Sequence, residues 1–136
     1  MSQSPRVFKI TMSERCFRFK PDALFNHAPD KPGIYEFVTF GPAGEPSVLY
    51  VGLALEESVR GALAAHLENK KSPSAAELFS AAKDVYFDYV DSADIEALSD
   101  LSDIARALAL KHKPRFNASE IPGSGRHQAV QVVEVE

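Results

Sequence analysis

Apolar and polar residues alternate along several short segments, which is the pattern of strands that bury one face. Residues 6–12 (RVFKITM), 33–40 (GIYEFVTF), 48–54 (VLYVGLA) and 84–91 (DVYFDYVD) show it, and their aromatic and β-branched residues also favour strands. The C-terminal segment 129–136 (AVQVVEVE) is a further candidate, which we expect to pair with an N-terminal strand or with the edge of another molecule.

Two helices are predicted in the middle of the chain. Residues 56–70 carry an apolar residue every fourth position, and Glu56 and Glu57 suit the positive end of a helix dipole. A shorter helix is predicted after Ser74, because Glu77 three residues later completes a capping box.

The longest predicted helix lies near the C-terminus. It is expected to begin with a cap at Ser92, to run to about Lys111 and to end before Pro114. A short helical turn is expected after Pro21.

These elements predict an α+β fold. We expect a small, mostly antiparallel sheet, made of a hairpin and a third strand, flanked by helices and extended by N- and C-terminal strands. The organisation is interpreted as an N-terminal extension (1–31), a central domain (32–117) and a C-terminal turn and strand (118–136).

Composition is that of one ordinary globular domain. The 136 residues are 45% hydrophobic and 25% charged, and no apolar run reaches the length of a membrane helix. We therefore expect no membrane association. One cysteine, Cys16, excludes an internal disulfide, and no apolar stretch of signal-peptide length opens the chain, so a cytoplasmic location is expected.

The charge balance argues against a general nucleic-acid binder. The net charge is −4 and the pI about 5.6, whereas such proteins are usually basic. Eight of the 15 lysines and arginines lie in the second half of the chain, so a local basic surface is compatible with the sequence.

Four sequence elements form a recognisable series. Residues 33–35 read Gly-Ile-Tyr, residues 50–52 read Tyr-Val-Gly, Arg60 follows eight positions later, and residues 113–117 read Lys-Pro-Arg-Phe-Asn. Their order and spacing resemble the GIY-YIG nuclease superfamily, including the N-terminal domain of excinuclease C, over about residues 32–117.

The resemblance implies hydrolysis of a DNA phosphodiester. In that family a strand tyrosine is the proposed general base and an arginine stabilises the transition state, roles that fall on Tyr35, Tyr50 and Arg60. Asn117 takes the position of a supporting asparagine. Each residue also has an ordinary structural interpretation, as a half-buried strand tyrosine, an exposed helix arginine or a helix terminator.

The same resemblance implies Mg²⁺ or Mn²⁺, held by a glutamate nine positions before the proline that ends the long helix. That position is Ala105, which offers no oxygen ligand to a hard cation.

Three more residues take supporting positions. Gly33 and Gly52 are expected to permit close approach of the backbone. The His or Tyr that family members often carry four positions after the arginine reads Ala64, and His66 is the nearest candidate.

Three functions stay open on the sequence. The first is a metal-dependent DNA endonuclease with a displaced acid or weak activity. The second is a catalytically silent scaffold of the same type that binds nucleic acid or protein. The third is a small oligomerising domain whose C-terminal strand recruits a second molecule by β-addition.

Overall fold

The computed structural model of the protein describes residues 5–117, 121–127 and 129–135. Residues 1–4, 118–120, 128 and 136 of the predicted terminal segments lie outside the described residues. The elements in chain order are β1 (Arg6–Met12), β2 (Phe17–Arg18), α1 (Pro21–His27), β3 (Gly33–Phe40), β4 (Pro46–Ala54), α2 (Val59–Leu67), α3 (Ala75–Ala81), β5 (Tyr86–Ala93), α4 (Asp100–His112) and β6 (Val130–Glu134).

The strands form a single mixed sheet, which confirms the predicted α+β class. Its order is β4-β3-β5-β1-β6, and β2 pairs with β5 beyond the end of β1. The predicted hairpin is present as the antiparallel pair β3 and β4, and β5 lies antiparallel on the other side of β3. The C-terminal strand β6 pairs with β1, as expected, in a parallel register.

Each face of the sheet carries its own apolar core. Alternation along β3 sends Tyr35 and Phe37 to one face, where α1, α2 and α3 pack, and Ile34 to the other. That second face is covered by α4, through residues such as Leu101 and Leu108. The two cores share the sheet but not their side chains, so a residue's strand position decides which helices it meets.

The start of α2 differs from the prediction. Ser58 is the N-cap, and its hydroxyl oxygen accepts a hydrogen bond of 2.9 Å from the N–H of Gly61. Glu56 and Glu57 therefore precede the helix and do not open it. The cap sets the boundary because it satisfies an N–H that has no partner within the helix. The capping box predicted for Ser74 and Glu77 at the start of α3 is confirmed.

The start of α4 was also predicted wrongly. Ser92 does not cap a helix, because β5 continues to Ala93 and pairs Ser92 with Thr11 of β1. The helix begins at Asp100 and ends at His112, where Lys113 adopts a left-handed conformation with φ of 49°. Pairing with the distant N-terminal strand extended β5 past the predicted boundary.

No helix within the described ranges has both the length and the apolar character needed to cross a lipid bilayer.

Candidate functional site

The hairpin brings the two predicted tyrosines onto one face of the sheet. Tyr35 of β3 lies opposite Gly52 of β4, and Phe37 lies opposite Tyr50. Residues two apart on a strand share a face, so both tyrosine rings point toward α2, with 6.3 Å between their centroids.

His66 of α2 completes this cluster. The Tyr35 hydroxyl lies 2.7 Å from His66 Nε2, and His66 Nδ1 lies 2.8 Å from the carbonyl oxygen of Pro73. A carbonyl only accepts, so Nδ1 carries the proton and Nε2 accepts the hydrogen bond that Tyr35 donates. The imidazole is thus held as one neutral tautomer.

Burial shifts the pKa values of Tyr35, Tyr50 and His66, in each case toward the neutral form of the side chain. Tyr35 and His66 are 0% exposed, while Tyr50 is half-buried. Burial raises the pKa of Tyr35 far above its usual range, with smaller contributions from Tyr50 and Glu57, and burial also raises the pKa of Tyr50. Burial lowers the pKa of His66 to about 4. At neutral pH the Tyr35 hydroxyl therefore stays protonated and is closed off from solvent.

The two motif glycines allow close packing within the protein. A Cβ at Gly52 would lie 2.1 to 2.5 Å from the Tyr35 ring and hydroxyl, so the ring lies directly across the Gly52 backbone. A Cβ at Gly33 would lie 3.1 Å from Val59, the first residue of α2. Gly52 therefore sets the position of Tyr35, and Gly33 lets α2 approach β3.

Arg60 makes its hydrogen bonds away from the tyrosine cluster. Its Nε donates to the carbonyl of Ala28 at 3.1 Å, and its backbone N–H donates to Pro29 at 2.9 Å. Its guanidinium carbon lies 5.8 Å from the centroid of the Phe25 ring on α1. The predicted trio is therefore divided: the tyrosines join with His66, and Arg60 joins the end of α1.

Asn117 binds the backbone of the second motif strand. Its side-chain oxygen accepts from the Val51 N–H at 2.9 Å, and its amide nitrogen donates to the Val51 carbonyl at 3.0 Å. The N–H of Phe116 donates to the carbonyl of Leu49 at 3.0 Å. The segment after α4 is thereby attached along the free edge of β4.

The residues near the tyrosines do not fit the implied Mg²⁺ or Mn²⁺ site. Ala105 is 0% exposed and belongs to the α4 core, on the opposite face of the sheet from Tyr35 and Tyr50. Glu57 is an acid whose charge acts on Tyr35, but it is half exposed and lies 3.7 Å from the ammonium of Lys71. One paired carboxylate does not make the oxygen-rich environment that these cations require.

Sequence reasoning missed a polar cluster at the start of α4. Ligand atoms of Asp100, Asp103 and His127 all lie within 4.8 Å of one another. Arg126 (2.6 Å) and His127 (3.0 Å) donate to Asp100, and Ser124 donates to both oxygens of Asp103. The other oxygen of Asp100 accepts two backbone N–H groups just before the helix.

We term these five residues (Asp100, Asp103, Ser124, Arg126 and His127) the C-terminal latch. All four carboxylate oxygens already accept hydrogen bonds, and a guanidinium supplies the positive charge, so the latch is complete without a metal. No local pattern in the sequence indicates the contact, because its two halves are separated by about twenty residues of chain.

Comparison of the chain with protein-family models, with curated proteins and with solved structures finds no match.

Proposed function

We propose that the protein is a nucleic-acid-binding module built on a GIY-YIG-type scaffold that does not hydrolyse phosphodiesters. The observation that carries the proposal is the state of Tyr35. Its hydroxyl is wholly buried and hydrogen-bonded to His66, so neither a water molecule nor a phosphate can reach it.

Hydrolysis at this hairpin would need an accessible base and a way to stabilise the developing charge. Of the two candidate bases, Tyr35 is buried and Tyr50 is half-buried, and burial raises the pKa of both. The position of the metal-binding acid is Ala105 in a closed core, and Arg60 is bonded to Ala28. These three features all argue against cleavage at this hairpin.

The surface that supports nucleic-acid binding is the pair formed by the exposed Phe25 and the half-buried Arg60. Phe25 is 74% exposed, and Arg60 lies beside its ring with its orientation fixed by Ala28. An exposed ring next to a guanidinium is suited to stacking an unpaired base while the cation attracts a phosphate.

Charge around this pair is mixed. Lys20, Lys31 and Asp30 are exposed in the segments flanking α1, and Asp22 is exposed in its first turn. The net attraction for a phosphate backbone is therefore modest, and we expect stacking to supply much of the affinity.

Fluorescence anisotropy with a labelled single-stranded oligonucleotide at low salt tests the proposal. Loss of one stacked base costs roughly 1–3 kcal/mol, so Phe25→Ala should weaken binding about tenfold. Arg60→Ala should weaken binding and reduce its salt dependence.

Arg18→Ala is the matched control, because Arg18 is an exposed arginine that also lies over an aromatic ring, 5.4 Å from the centroid of Tyr86. Its affinity should equal that of the wild type. Absence of binding at low salt, or equal losses in all three variants, would overturn the nucleic-acid part of the proposal.

Hydrolysis remains the alternative function, and Glu57 is the observation that favours it. It is an acid whose charge acts on Tyr35, and it could serve there as a displaced metal ligand. Metal-dependent cleavage that requires Glu57 would replace our proposal.

A further inference from the structure

A row of four side chains with metal-binding atoms crosses the α4 face of the sheet. Glu36 of β3 and Asp88 of β5 are directly opposite each other in the antiparallel register. Cys16, in the loop between β1 and β2, lies beside Asp88, and His112, the last residue of α4, lies beside Glu36. This row is separate from the tyrosine cluster, which occupies the other face.

Neighbouring members of the row are nearly as close as the ligands of a metal site, although no three of the four have ligand atoms that all lie within 4.8 Å of one another. Cys16 Sγ lies 3.9 Å from Asp88 Oδ2, and His112 Nε2 lies 3.8 Å from Glu36 Oε2. Neighbouring ligand atoms around a tetrahedral zinc ion are about 3.3–3.7 Å apart, as its bond lengths require. Cys16 and His112 are both half-buried at the ends of the row, so metal binding requires these two side chains to rotate toward Glu36 and Asp88.

The two carboxyls in the middle are hydrogen-bonded to each other, and each has one buried oxygen without a further partner among the described residues. The Glu36 side chain is 5% exposed, and its Oε2 receives no hydrogen bond from any donor in the described residues. Asp88 Oδ1 is also buried and has no hydrogen-bond donor among the described residues. Buried carboxylates this close need a cation or a shared proton between them.

The environment of the row favours the protonated forms of Cys16 and Glu36. Burial, followed by the charge of Asp88, raises the pKa of Glu36 to about 9. Burial also raises the pKa of Cys16 to about 11, with Asp88 and Glu36 adding to the effect. These raised pKa values express the same shortage of positive charge that the geometry shows.

We propose that Cys16, Glu36, Asp88 and His112 form a binding site for a divalent cation of the zinc class. On binding at neutral pH, the thiol of Cys16 and the carboxyl of Glu36 each lose one proton to solvent. Asp88 enters as a carboxylate, and His112 binds as the neutral imidazole through Nε2. The thiolate and two carboxylates give the complex a net charge of −1.

The ligand chemistry favours zinc over a hard cation. A thiolate and an imidazole are ligands for Zn²⁺, whereas Mg²⁺ and Ca²⁺ select oxygen alone. The C-terminal latch is the competing place for a metal, but its carboxylate oxygens are already hydrogen-bonded to Arg126, His127, Ser124 and backbone N–H groups.

Spectroscopic titration of the full chain with Co²⁺, after treatment with a chelator, tests the site. We expect one equivalent to produce the visible bands of tetrahedral cobalt and a near-ultraviolet thiolate-to-cobalt band, both removed by added Zn²⁺. Zn²⁺ added to weakly buffered protein near pH 7 should release close to two protons per site.

Three variants locate the ligands. Cys16→Ser should abolish the thiolate-to-cobalt band, and His112→Gln should weaken Co²⁺ binding by at least about tenfold. Glu36→Gln keeps the shape of the side chain and should also lose binding. His127→Gln, which alters the latch, is the matched control and should bind as the wild type does.

Circular dichroism shows whether each variant is folded, and Cys16 and His112 are half exposed, so their variants test the site if Glu36→Gln does not fold. Absence of any thiolate-to-cobalt band in the wild type would overturn the proposal, and the carboxyls would then be a proton-sharing pair. Binding that survives Cys16→Ser but is lost in His127→Gln would also overturn it and assign the metal to the latch.

Discussion

At the scale of single residues, Tyr35 and His66 satisfy each other's polar atoms inside an apolar core. Burying a hydroxyl or an imidazole without a hydrogen-bond partner destabilises the folded state. Here Tyr35 is hydrogen-bonded to His66, and His66 is hydrogen-bonded to the carbonyl of Pro73, so both groups are paired. The motif predicted a functional tyrosine. Its burial depends on the packing of α2 and α3, which lies outside the motif.

The His66 imidazole should make the protein sensitive to acid. Its pKa is lowered to about 4 in the folded state, whereas an unfolded histidine has a pKa near 6.5. The unfolded state therefore binds more protons between these values, so stability present above pH 6.5 is lost as pH falls toward 4. The loss should reach at most about 3 kcal/mol.

Urea denaturation of the wild type and of His66→Phe between pH 7 and pH 4 measures this effect. The variant has no group to titrate at that position, so the stability difference between the two proteins should shrink as pH falls. A difference that stays constant across this range would show that His66 is not held neutral.

Gly52 offers a second test at this scale. A methyl group at this position meets the Tyr35 ring at 2.1 to 2.5 Å, and the ring is fully buried. Gly52→Ala should therefore destabilise the fold by about 1–3 kcal/mol, the usual cost of overpacking.

Gly41→Ala is the control, since its added Cβ meets only the flexible side chain of Glu45, which is exposed and can move. Midpoints of urea denaturation compare the two variants. Equal midpoints would mean that Tyr35 does not lie across Gly52.

At the scale of elements, local patterns located the strands better than the start of α4. The β3 strand was predicted at its observed bounds, because its aromatic and β-branched residues are followed at once by a turn rich in glycine and proline. The start of α4 was predicted seven residues too early, because pairing with Thr11 held Ser92 in a strand. That pairing joins segments about eighty residues apart.

The C-terminal latch should hold the tail against α4. Asp100 is 1% exposed and accepts from Arg126, His127 and two backbone N–H groups. Asp100→Ala removes these contacts at once and should cost roughly 3 kcal/mol, in the range found when a buried pair is broken. The freed Arg126 should also be cleaved faster by trypsin.

Glu96→Ala is the control for the latch, because Glu96 is 73% exposed and lies 3.9 Å from the same arginine. It should change stability by less than about 1 kcal/mol, as expected for an exposed ion pair. Equal trypsin cleavage rates at Arg126 in both variants would contradict the role assigned to Asp100.

At the scale of the whole molecule, the sheet separates two chemical environments. The tyrosine cluster lies under α1, α2 and α3, whereas Ala105 and the row from Cys16 to His112 lie on the α4 face. Counting positions along the chain assigned Ala105 to the acid's place in the motif, but the count does not tell which face that position meets.

The sequence was therefore informative about the class of fold and the shared face of the two tyrosines. It was not informative about the direction of Arg60 or the closure around Tyr35. The direction of Arg60 depends on how α1 packs against α2, where Arg60 binds Ala28, and the closure around Tyr35 depends on the packing of α2 and α3.

Nicking of supercoiled plasmid DNA in Mg²⁺ or Mn²⁺ tests the central claim most directly, with Tyr35→Phe purified and assayed in parallel. Because the Tyr35 hydroxyl is enclosed and bonded to His66, we predict no nicking by the wild type above the level of the variant. Metal-dependent nicking by the wild type that disappears in Tyr35→Phe would contradict the account.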